Sequence, residues 1–167
     1  MAAVAAMLFF SVSLAAGGPS IPHGGQRNLR GLTLWTTLPA SQYGPGQEIR
    51  IYCTLVNRGT SPVTFTPPLS LTASVTIEGE ERSYAQIEEC QALVDNDKPV
   101  ILRPGERWLT CFLVKPPRKE FLPGDYPLRV YCVFAGGGAR AGGRDLRGTL
   151  VSNEVKLTIH YNVFWVY

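Results

Sequence analysis

The feature that most constrains this chain is an alternation of apolar and polar side chains that recurs in short segments. Its clearest instance is residues 49–55, where one face would carry Ile49, Ile51, Cys53 and Leu55. Successive side chains of a β-strand point to opposite faces, so the pattern predicts a strand with one buried face and an inward Cys53. A chain built from such segments buries its apolar faces by packing sheet against sheet.

Comparable segments follow along the chain, separated by turns rich in proline and glycine. We predict further strands near residues 32–38, 63–65, 69–77, 100–102, 108–114, 126–134 and 149–161. The sequence contains 17 glycines and 13 prolines and shows no long amphipathic helix. It therefore predicts an all-β protein of two packed antiparallel sheets, with seven or more strands.

Three more cysteines lie in or near these segments. The predicted inward face of residues 108–114 carries Leu109, Cys111 and Leu113. The predicted inward face of residues 126–134 carries Tyr126, Leu128, Val130, Cys132 and Phe134. Cys90 lies in residues 84–93, where the pattern fits a helical turn or a return strand equally well.

Length and charge narrow the class of protein further. A chain of 167 residues is long enough for one domain with a single core. Charged residues make up 17% of the chain and the formal net charge is +3, which is too small to indicate binding to nucleic acid. The nearest basic cluster is Arg140, Arg144 and Arg147, in a glycine-rich loop predicted for residues 136–148.

The N-terminal segment has the length and composition of an export signal. Residues 1–15 form an apolar run with small side chains at Ser13 and Ala15, which predicts cleavage after Ala15. Because no Lys or Arg precedes the run, the rival interpretation is an uncleaved segment that lies on a membrane surface or docks on a partner. Residues 16–30 lack periodicity and are predicted to be a flexible lead-in to a domain of residues 31–161. We therefore expect an exported protein, periplasmic or extracellular.

Four pieces of the sequence resemble secreted bacterial immunoglobulin-like and fibronectin-III-like domains. The piece Leu122-Pro-Gly-Asp-Tyr126-Pro-Leu-Arg-Val130 is similar to the entry to their strand F. Residues 49–59 resemble strand B, residues 102–108 the turn before strand E, and residues 152–159 strand G. The resemblance implies an immunoglobulin-like antiparallel β-sandwich with a tyrosine corner at Tyr126. It implies a fold and no particular ligand.

The four cysteines favour disulfides formed in an oxidising compartment. In a sandwich of this kind strands B and F run the same way in facing sheets. We therefore predict a bond between Cys53 and Cys132, and a second between Cys90 and Cys111. Cys53 with Cys111 is the alternative if strand E lies beside strand B. Buried reduced thiols are the alternative if the chain is not exported.

No set of side chains predicts catalysis or a bound cofactor. The two histidines, His23 and His160, lie in the lead-in and near the end of the last strand, so no Ser/His/Asp or Cys/His arrangement is indicated. The cysteine spacing contains no Cys-x-x-Cys, and residues 95–97 fit a turn better than a calcium loop. We predict a non-enzyme with no metal, no cofactor and no small-molecule substrate.

Two segments are candidate partner-binding sites. The first is the loop that carries Arg140, Arg144 and Arg147, at the end of the sandwich where related domains place recognition loops; its alternative is a mobile hairpin without a binding role. The second is the aromatic tail of residues 162–167, whose candidate residues are Phe164, Trp165 and Tyr167. Apolar side chains this dense either extend the last strand into the core or contact a partner.

These features together predict a non-catalytic accessory subunit that binds a protein partner in a larger extracytoplasmic or membrane-associated assembly. Two other functions remain open from the sequence. A proteinase-inhibitor-like sandwich would present a rigid loop to a protease. A carbohydrate-binding module would need Trp35, Trp108 and Tyr52 aligned on an outward strand face as a stacking platform.

Overall fold

A computed structural model describes residues 29–67, 69–85, 88–89, 98–117 and 121–160, with residues 85, 88 and 89 described by their backbone alone. These residues form strands and turns, and none of them is helical. In chain order the strands are β1 (Leu32–Thr37), β2 (Gln42–Tyr43), β3 (Ile49–Asn57), β4 (Val63–Phe65), β5 (Ser70–Ile77), β6 (Glu80–Ala85), β7 (Glu88–Glu89), β8 (Val100–Leu102), β9 (Arg107–Val114), β10 (Gly124–Ala141), β11 (Arg144–Val151) and β12 (Val155–Ile159).

The strands form two sheets with the order of an immunoglobulin-like sandwich. Sheet 1 is antiparallel, in the order β1-β3-β9-β7. Sheet 2 is built around β10, which pairs with β12 and β11 on one side and with β5 and β4 on the other. β2 is a parallel neighbour of β12, and β6 and β8 pair with β5 and β4. With β1, β3, β9 and β7 as strands A, B, E and D, and with β12, β10 and β5 as strands G, F and C, the two sheets have the immunoglobulin-like arrangement. The predicted fold class is confirmed.

The core lies between the two sheets. Its largest fully buried side chains include Phe65, Phe112, Phe121, Ile49, Ile51, Leu128 and Leu157. Trp108 of sheet 1 packs edge-on against Phe65 of sheet 2, with ring centroids 5.2 Å apart. Burying a side chain of this size contributes about 1.5–3 kcal/mol, so the inter-sheet contacts are the main favourable term in folding. The alternation predicted for residues 49–55 is the one observed in β3.

Strand β9 faces the opposite way from the prediction. Its residues in the core cluster between the sheets are Trp108, Phe112 and Val114, while Cys111 is buried outside that cluster. The predicted inward set, Leu109, Cys111 and Leu113, lies on the other face. β9 carries apolar residues on both faces, so alternation alone does not determine which face is buried. Cross-strand neighbours share a face, and β3 pairs its inward Leu55 with Trp108.

The glycine-rich segment is a β-hairpin rather than the predicted loop of residues 136–148. β10 continues to Ala141 and β11 begins at Arg144, which leaves a turn of two residues. Both turn residues, Gly142 and Gly143, have positive φ angles, of 55° and 76°. A two-residue hairpin turn that follows the strand twist needs such angles, and glycine adopts them without strain.

The last part of sheet 2 consists of two strands, β11 and β12, where the sequence predicted one. The single strand expected over residues 149–161 is interrupted between β11 and β12. Ser152 bridges the interruption: its backbone N–H donates to Val130 O at 2.9 Å, and its Oγ accepts from Val130 N at 2.9 Å. The side-chain oxygen supplies the acceptor that a continuous strand would have offered, so β10 keeps its hydrogen bonds.

Tyr126 locks the entry to β10. Its Oη donates to the backbone oxygen of Leu122 at 2.8 Å, and its ring packs edge-on against Phe121 with centroids 5.0 Å apart. A tyrosine hydroxyl bonded to the backbone a few residues upstream is the contact that defines a tyrosine corner. The structure thus gives Tyr126 the geometry that the resemblance implies.

The predicted disulfide between Cys53 and Cys132 is not formed, and both are free, buried thiols. Each lies on an inward face, on β3 and β10 in facing sheets. Facing sheets pack about 10 Å apart, whereas a disulfide needs Cα atoms about 4.4–6.8 Å apart, so inward thiols can meet without bonding. Burial raises the pKa of both thiols to about 12, which keeps them protonated and unreactive at neutral pH.

The alternative pair Cys53–Cys111 is excluded by the register of sheet 1. β3 and β9 are neighbours, but Cys53 points into the core while Cys111 lies opposite Tyr52 on the outer face. Cys111 is not among the free thiols. Cys90 lies outside the described residues, so the pair Cys90–Cys111 stays a prediction.

Candidate functional site

Sheet 1 presents an apolar surface on the side that faces away from the core. We call it the outer apolar face and define it by Trp35, Tyr52, Val56, Leu109 and Leu113. Trp35 is 38%, Tyr52 39% and Leu109 52% exposed, while Val56 and Leu113 are half-buried. Single exposed apolar residues are normal on a protein surface, but a contiguous group marks an interaction surface.

Strand pairing brings these side chains together from three strands. Trp35 lies beside Thr54, and Thr54 lies beside Leu109, in one row across β1, β3 and β9. Tyr52 is two residues from Thr54 along β3, which makes it a diagonal neighbour of both Trp35 and Leu109. Diagonal neighbours on a sheet face are within reach of an aromatic ring. The outer apolar face is therefore one patch.

Arginines surround this patch. The guanidinium carbon of Arg58 is 5.9 Å from the centroid of the Trp35 ring, within the range of a cation–π contact. Arg50 and Arg107 share the outer face, at opposite ends of the pairing between β3 and β9. All three are exposed, and none forms an ion pair with another described residue. The face thus has an apolar centre and a cationic edge.

The outer face of sheet 2 also has exposed apolar side chains, Ile101 at 61% and Val133 at 44%, but its strands carry polar groups that bond to one another. Arg129 Nη2 is 2.9 Å from Glu154 Oε2, and Tyr131 Oη donates to Glu81 Oε1 at 2.5 Å. Burial, and then the hydrogen bond to Glu81, raise the pKa of Tyr131 to about 12, so the phenol is protonated at neutral pH. Because these polar side chains already bond to one another within the domain, they are less available to a partner than the arginines around the outer apolar face.

The arginines predicted to bind a partner do not form one cluster on the hairpin. Arg140 Nε is 3.5 Å from Asp145 Oδ1, its cross-strand neighbour. Arg147 lies over Gly136, where an added Cβ would be 2.6 Å from Arg147 Nε. Arg144 precedes Asp145 along β11, so it belongs to the face opposite Arg140. The hairpin divides its arginines between two faces and pairs one of them.

A shallow groove of about 180 Å³ lies at the base of this hairpin. It opens where the ladders from β10 to β4 and β5 are interrupted. Its lining residues include Phe65, Leu69, Ser70, Val133, Phe134 and Ala139. None of the described side chains that line it is an acid or a base.

The described residues bring together no catalytic or metal-binding set. They contain no group of three or more His, Cys, Asp or Glu side chains placed to hold a metal ion. Asp125 accepts hydrogen bonds from Thr158 Oγ1 at 2.6 Å and Lys156 Nζ at 3.1 Å. Those two contacts lower the pKa of Asp125. It is a stabilised carboxylate and a poor general base.

The platform required of a carbohydrate-binding module does not form. Trp108 lies in the core against Phe65, so it cannot align with Trp35 and Tyr52 on an outward face. The three-ring arrangement predicted as an alternative is therefore wrong. Trp35 and Tyr52 themselves do share one face.

Other predicted features lie outside the described residues. These are the leader of residues 1–15, most of the lead-in, Cys90, and the tail residues Phe164, Trp165 and Tyr167. Their proposed roles stay predictions. Within the part of the chain that the structure describes, no helix is long and apolar enough to cross a membrane.

Sequence reasoning missed the outer apolar face. It assigned Leu109 and Leu113 to the core and considered Trp35 and Tyr52 only for stacking on sugars. The available signal was β9, whose sequence is apolar at both odd and even positions. A strand of that kind in a two-layer sandwich buries one apolar face and leaves the other for solvent or a partner.

No protein-family model and no curated protein sequence matches the chain. Among solved structures, it is similar to Spo0M, a sporulation control protein from Bacillus subtilis, with 17% identity, a TM-score of 0.43, and coverage of 78% of this chain and 50% of that one. The CARDB domain of a Pyrococcus furiosus protein has 12% identity and a TM-score of 0.38, over 85% of this chain and 95% of that one.

AggA, the major subunit of aggregative adherence fimbriae type I from Escherichia coli, has 14% identity and a TM-score of 0.36, over 77% of this chain and 94% of that one. The chain spans half the length of Spo0M. At these identities and TM-scores the similarities do not bear on what this chain binds.

Proposed function

We propose that this chain is an exported, non-catalytic binding domain that docks on a protein partner through its outer apolar face. The observation that carries the proposal is the exposure of Trp35, Tyr52 and Leu109 as one contiguous group on a sheet face that no other described strand covers. In the free domain these exposed side chains realise only part of the free energy of apolar burial. Covering them with a partner recovers the free energy of burial.

The composition of the face favours a protein as the occupant. Trp, Tyr and Arg are the residue types that dominate the energetics of protein–protein interfaces, and here Trp35, Tyr52 and Arg58 lie together beside Leu109. A small molecule binds in a concave pocket, whereas a sheet face matches another extended surface.

The remaining parts of the proposal rest on the sequence. The non-catalytic part of the proposal comes from the sequence, in which the two histidines lie in the lead-in and near the end of the last strand. Export is supported by the leader-like residues 1–15. The free, buried thiols of Cys53 and Cys132 lend it no support. The domain would act as an accessory subunit in the periplasm, outside the cell or at a membrane surface, with residues 162–167 as a second contact.

A pair of matched substitutions tests the docking surface. Leu109 and Ile101 are both exposed strand residues, 52% and 61% exposed, and they belong to different sheets. The tagged full-length chain is used to isolate its partner, and the purified partner is then titrated with each variant. We expect Leu109→Asp to weaken the Kd by at least about tenfold and Ile101→Asp to change it by less than about twofold.

The result must be separated from a loss of folding. Both variants are therefore compared with the wild type by circular dichroism and by the urea midpoint of unfolding. An unchanged Kd for Leu109→Asp in a folded protein would remove the outer apolar face from the proposal.

A further inference from the structure

We infer that the partner meets the outer apolar face with a surface that is acidic around an apolar centre. This inference rests on the proposed function and specifies the partner's chemistry. It starts from Arg50, Arg58 and Arg107, which are exposed at the edge of the face and form no ion pair with a described residue.

The cations of sheet 2 are treated differently by the fold. Several of them have a carboxylate close by within the same domain, in the pairs Arg129–Glu154, Arg140–Asp145 and Lys156–Asp125. Beside sheet 1, Glu48 pairs with Lys115 at 3.4 Å, at the end of β3 and β9 that carries Arg50. No described carboxylate pairs with Arg50, Arg58 or Arg107, and Glu88 lies beside Leu113 by its backbone register at the β7 edge. The three arginines are therefore available for carboxylates of another molecule.

The affinity of the complex should depend on the sign of the partner's charge near the three arginines. Covering Trp35 and Leu109 brings the guanidinium groups of the edge close to the partner and removes part of their water. Carboxylates opposite them replace the lost hydration with charge-assisted hydrogen bonds, for which a planar guanidinium is well suited. Lysines opposite them would repel, and like charges across an interface suppress a wrong partner.

The same charges disfavour two other occupants. In a symmetric dimer through this face, the arginine edge of one copy would meet the arginine edge of the other. The chain's own tail, residues 162–167, contains no Asp or Glu with which to pair the arginines. Neither a second copy nor the tail supplies the charge that the face lacks.

An anionic membrane would also attract the arginines, but the apolar side chains are poorly placed for it. Trp35 and Tyr52 lie within strands of sheet 1 and are 38% and 39% exposed, so neither projects from a loop tip. Binding to a bilayer surface needs apolar groups that enter the headgroup and acyl boundary by about 5–10 Å. A complementary protein surface needs no such protrusion.

Two synthetic peptides are the probes for this inference. Both alternate the same Leu and Trp residues with a charged residue, which is Glu in one peptide and Lys in the other. Each is titrated into the isotope-labelled full-length protein, and the amide shifts are followed by NMR. We expect the Glu peptide to shift amides around Trp35, Thr54 and Leu109 and to bind at least about tenfold more tightly than the Lys peptide, with affinity falling as salt is raised from about 50 to 300 mM.

Charge reversal supplies the matched control. Arg50→Glu with Arg107→Glu should reverse the preference between the peptides. Arg144→Glu, at the tip of the hairpin and away from this face, should leave it unchanged. Equal affinity for both peptides, preference for the Lys peptide, or shifts confined to the hairpin would overturn the inference.

The other occupants give distinct signatures. Three results would each contradict an acidic protein partner. One is a concentration-dependent dimer in sedimentation that Leu109→Asp abolishes, and another is tighter peptide binding after deletion of residues 162–167. The third is Leu109-dependent binding to phosphatidylglycerol vesicles without binding of the Glu peptide. If Leu109→Asp weakens the natural complex but neither peptide discriminates by charge, the docking surface stands and the acidic character of the partner fails.

Discussion

The side-chain amide of Asn153 hydrogen-bonds to both backbone polar groups of Thr36. Thr36 N donates to Asn153 Oδ1 at 2.8 Å, and Asn153 Nδ2 donates to Thr36 O at 3.1 Å. A neighbouring strand would bond Thr36 in the same way, so one side chain closes the free edge of β1 at this point. Because Asn153 lies between β11 and β12, the contact also ties sheet 1 to sheet 2. It holds in place the strand that carries Trp35.

Asn153→Ala should lower the free energy of unfolding by about 1–2 kcal/mol. The substitution removes two hydrogen bonds and leaves the polar groups of a buried Thr36 unmatched on that side. Urea unfolding monitored by fluorescence measures the change. Asn153→Asp keeps the acceptor and loses the donor, so an intermediate loss is expected; a loss below about 0.5 kcal/mol for the alanine variant would show that the edge contact is dispensable.

Asn57→Ala should cost more, about 3 kcal/mol. Asn57 is fully buried; its Nδ2 donates to Ser61 O at 2.9 Å and to Leu102 O at 2.8 Å, and its Oδ1 accepts from Gly59 N at 2.9 Å. Without the side-chain amide, three backbone groups in two turns lose their hydrogen-bond partner. The exposed neighbour Arg58 is the control, because Arg58→Ala should stay within about 1 kcal/mol of wild type. Equal losses for the two variants would contradict the role given to Asn57.

Burial of Cys53 and Cys132 should make stability fall as the pH rises above about 9. Each thiol pKa rises from an ordinary 9.0 to about 12 in the folded protein. Between these values the unfolded chain releases protons that the folded chain retains, so the free energy of unfolding decreases with pH; below pH 9 the contribution is fully present.

The urea midpoint between about pH 8.5 and 10.5 measures this dependence. The double variant Cys53→Ala, Cys132→Ala should show a shallower fall than the wild type, because ionisation of the remaining groups is common to both proteins. Identical slopes would mean that the thiols are accessible to solvent.

Strand register predicts a disulfide between Cys90 and Cys111. β7 pairs Glu88 with Leu113 and Glu89 with Phe112. If this pairing extended by one residue, Cys90 would lie opposite Cys111. Directly opposed residues have Cβ atoms about 4.5–5.5 Å apart, close to the spacing of a disulfide. Non-reducing peptide mapping should recover this pair, and maleimide should label only Cys53 and Cys132 in the unfolded, unreduced chain. Four labelled cysteines would rule the bond out.

The fold class could be predicted from the sequence because some segments have a local pattern that agrees with their place in the sheets. Residues 49–55 alternate cleanly, since one face is apolar and the other polar, and β3 has the predicted inward face. The entry to β10 was predictable as well, because the proline–glycine turn before Tyr126 and the position of that ring are local features.

The candidate site was not predictable, because its determinants are tertiary. The side of β9 that is buried depends on pairing with β3, and Leu109 and Trp108 are both apolar. Three glycines followed by Ala139 do not distinguish a loop from an interrupted hairpin. The state of Cys53 and Cys132 depends on the local distance between sheets, which periodicity does not contain.

The most direct test of the outer apolar face as the docking surface is site-specific photocrosslinking. A photoreactive phenylalanine analogue replaces Leu109 in one full-length chain and Ile101 in another, and each is irradiated in cells that make the protein. We predict one discrete adduct from position 109 and none from position 101. Adducts of equal yield from both positions, or none from position 109 in a chain that folds, would contradict the account.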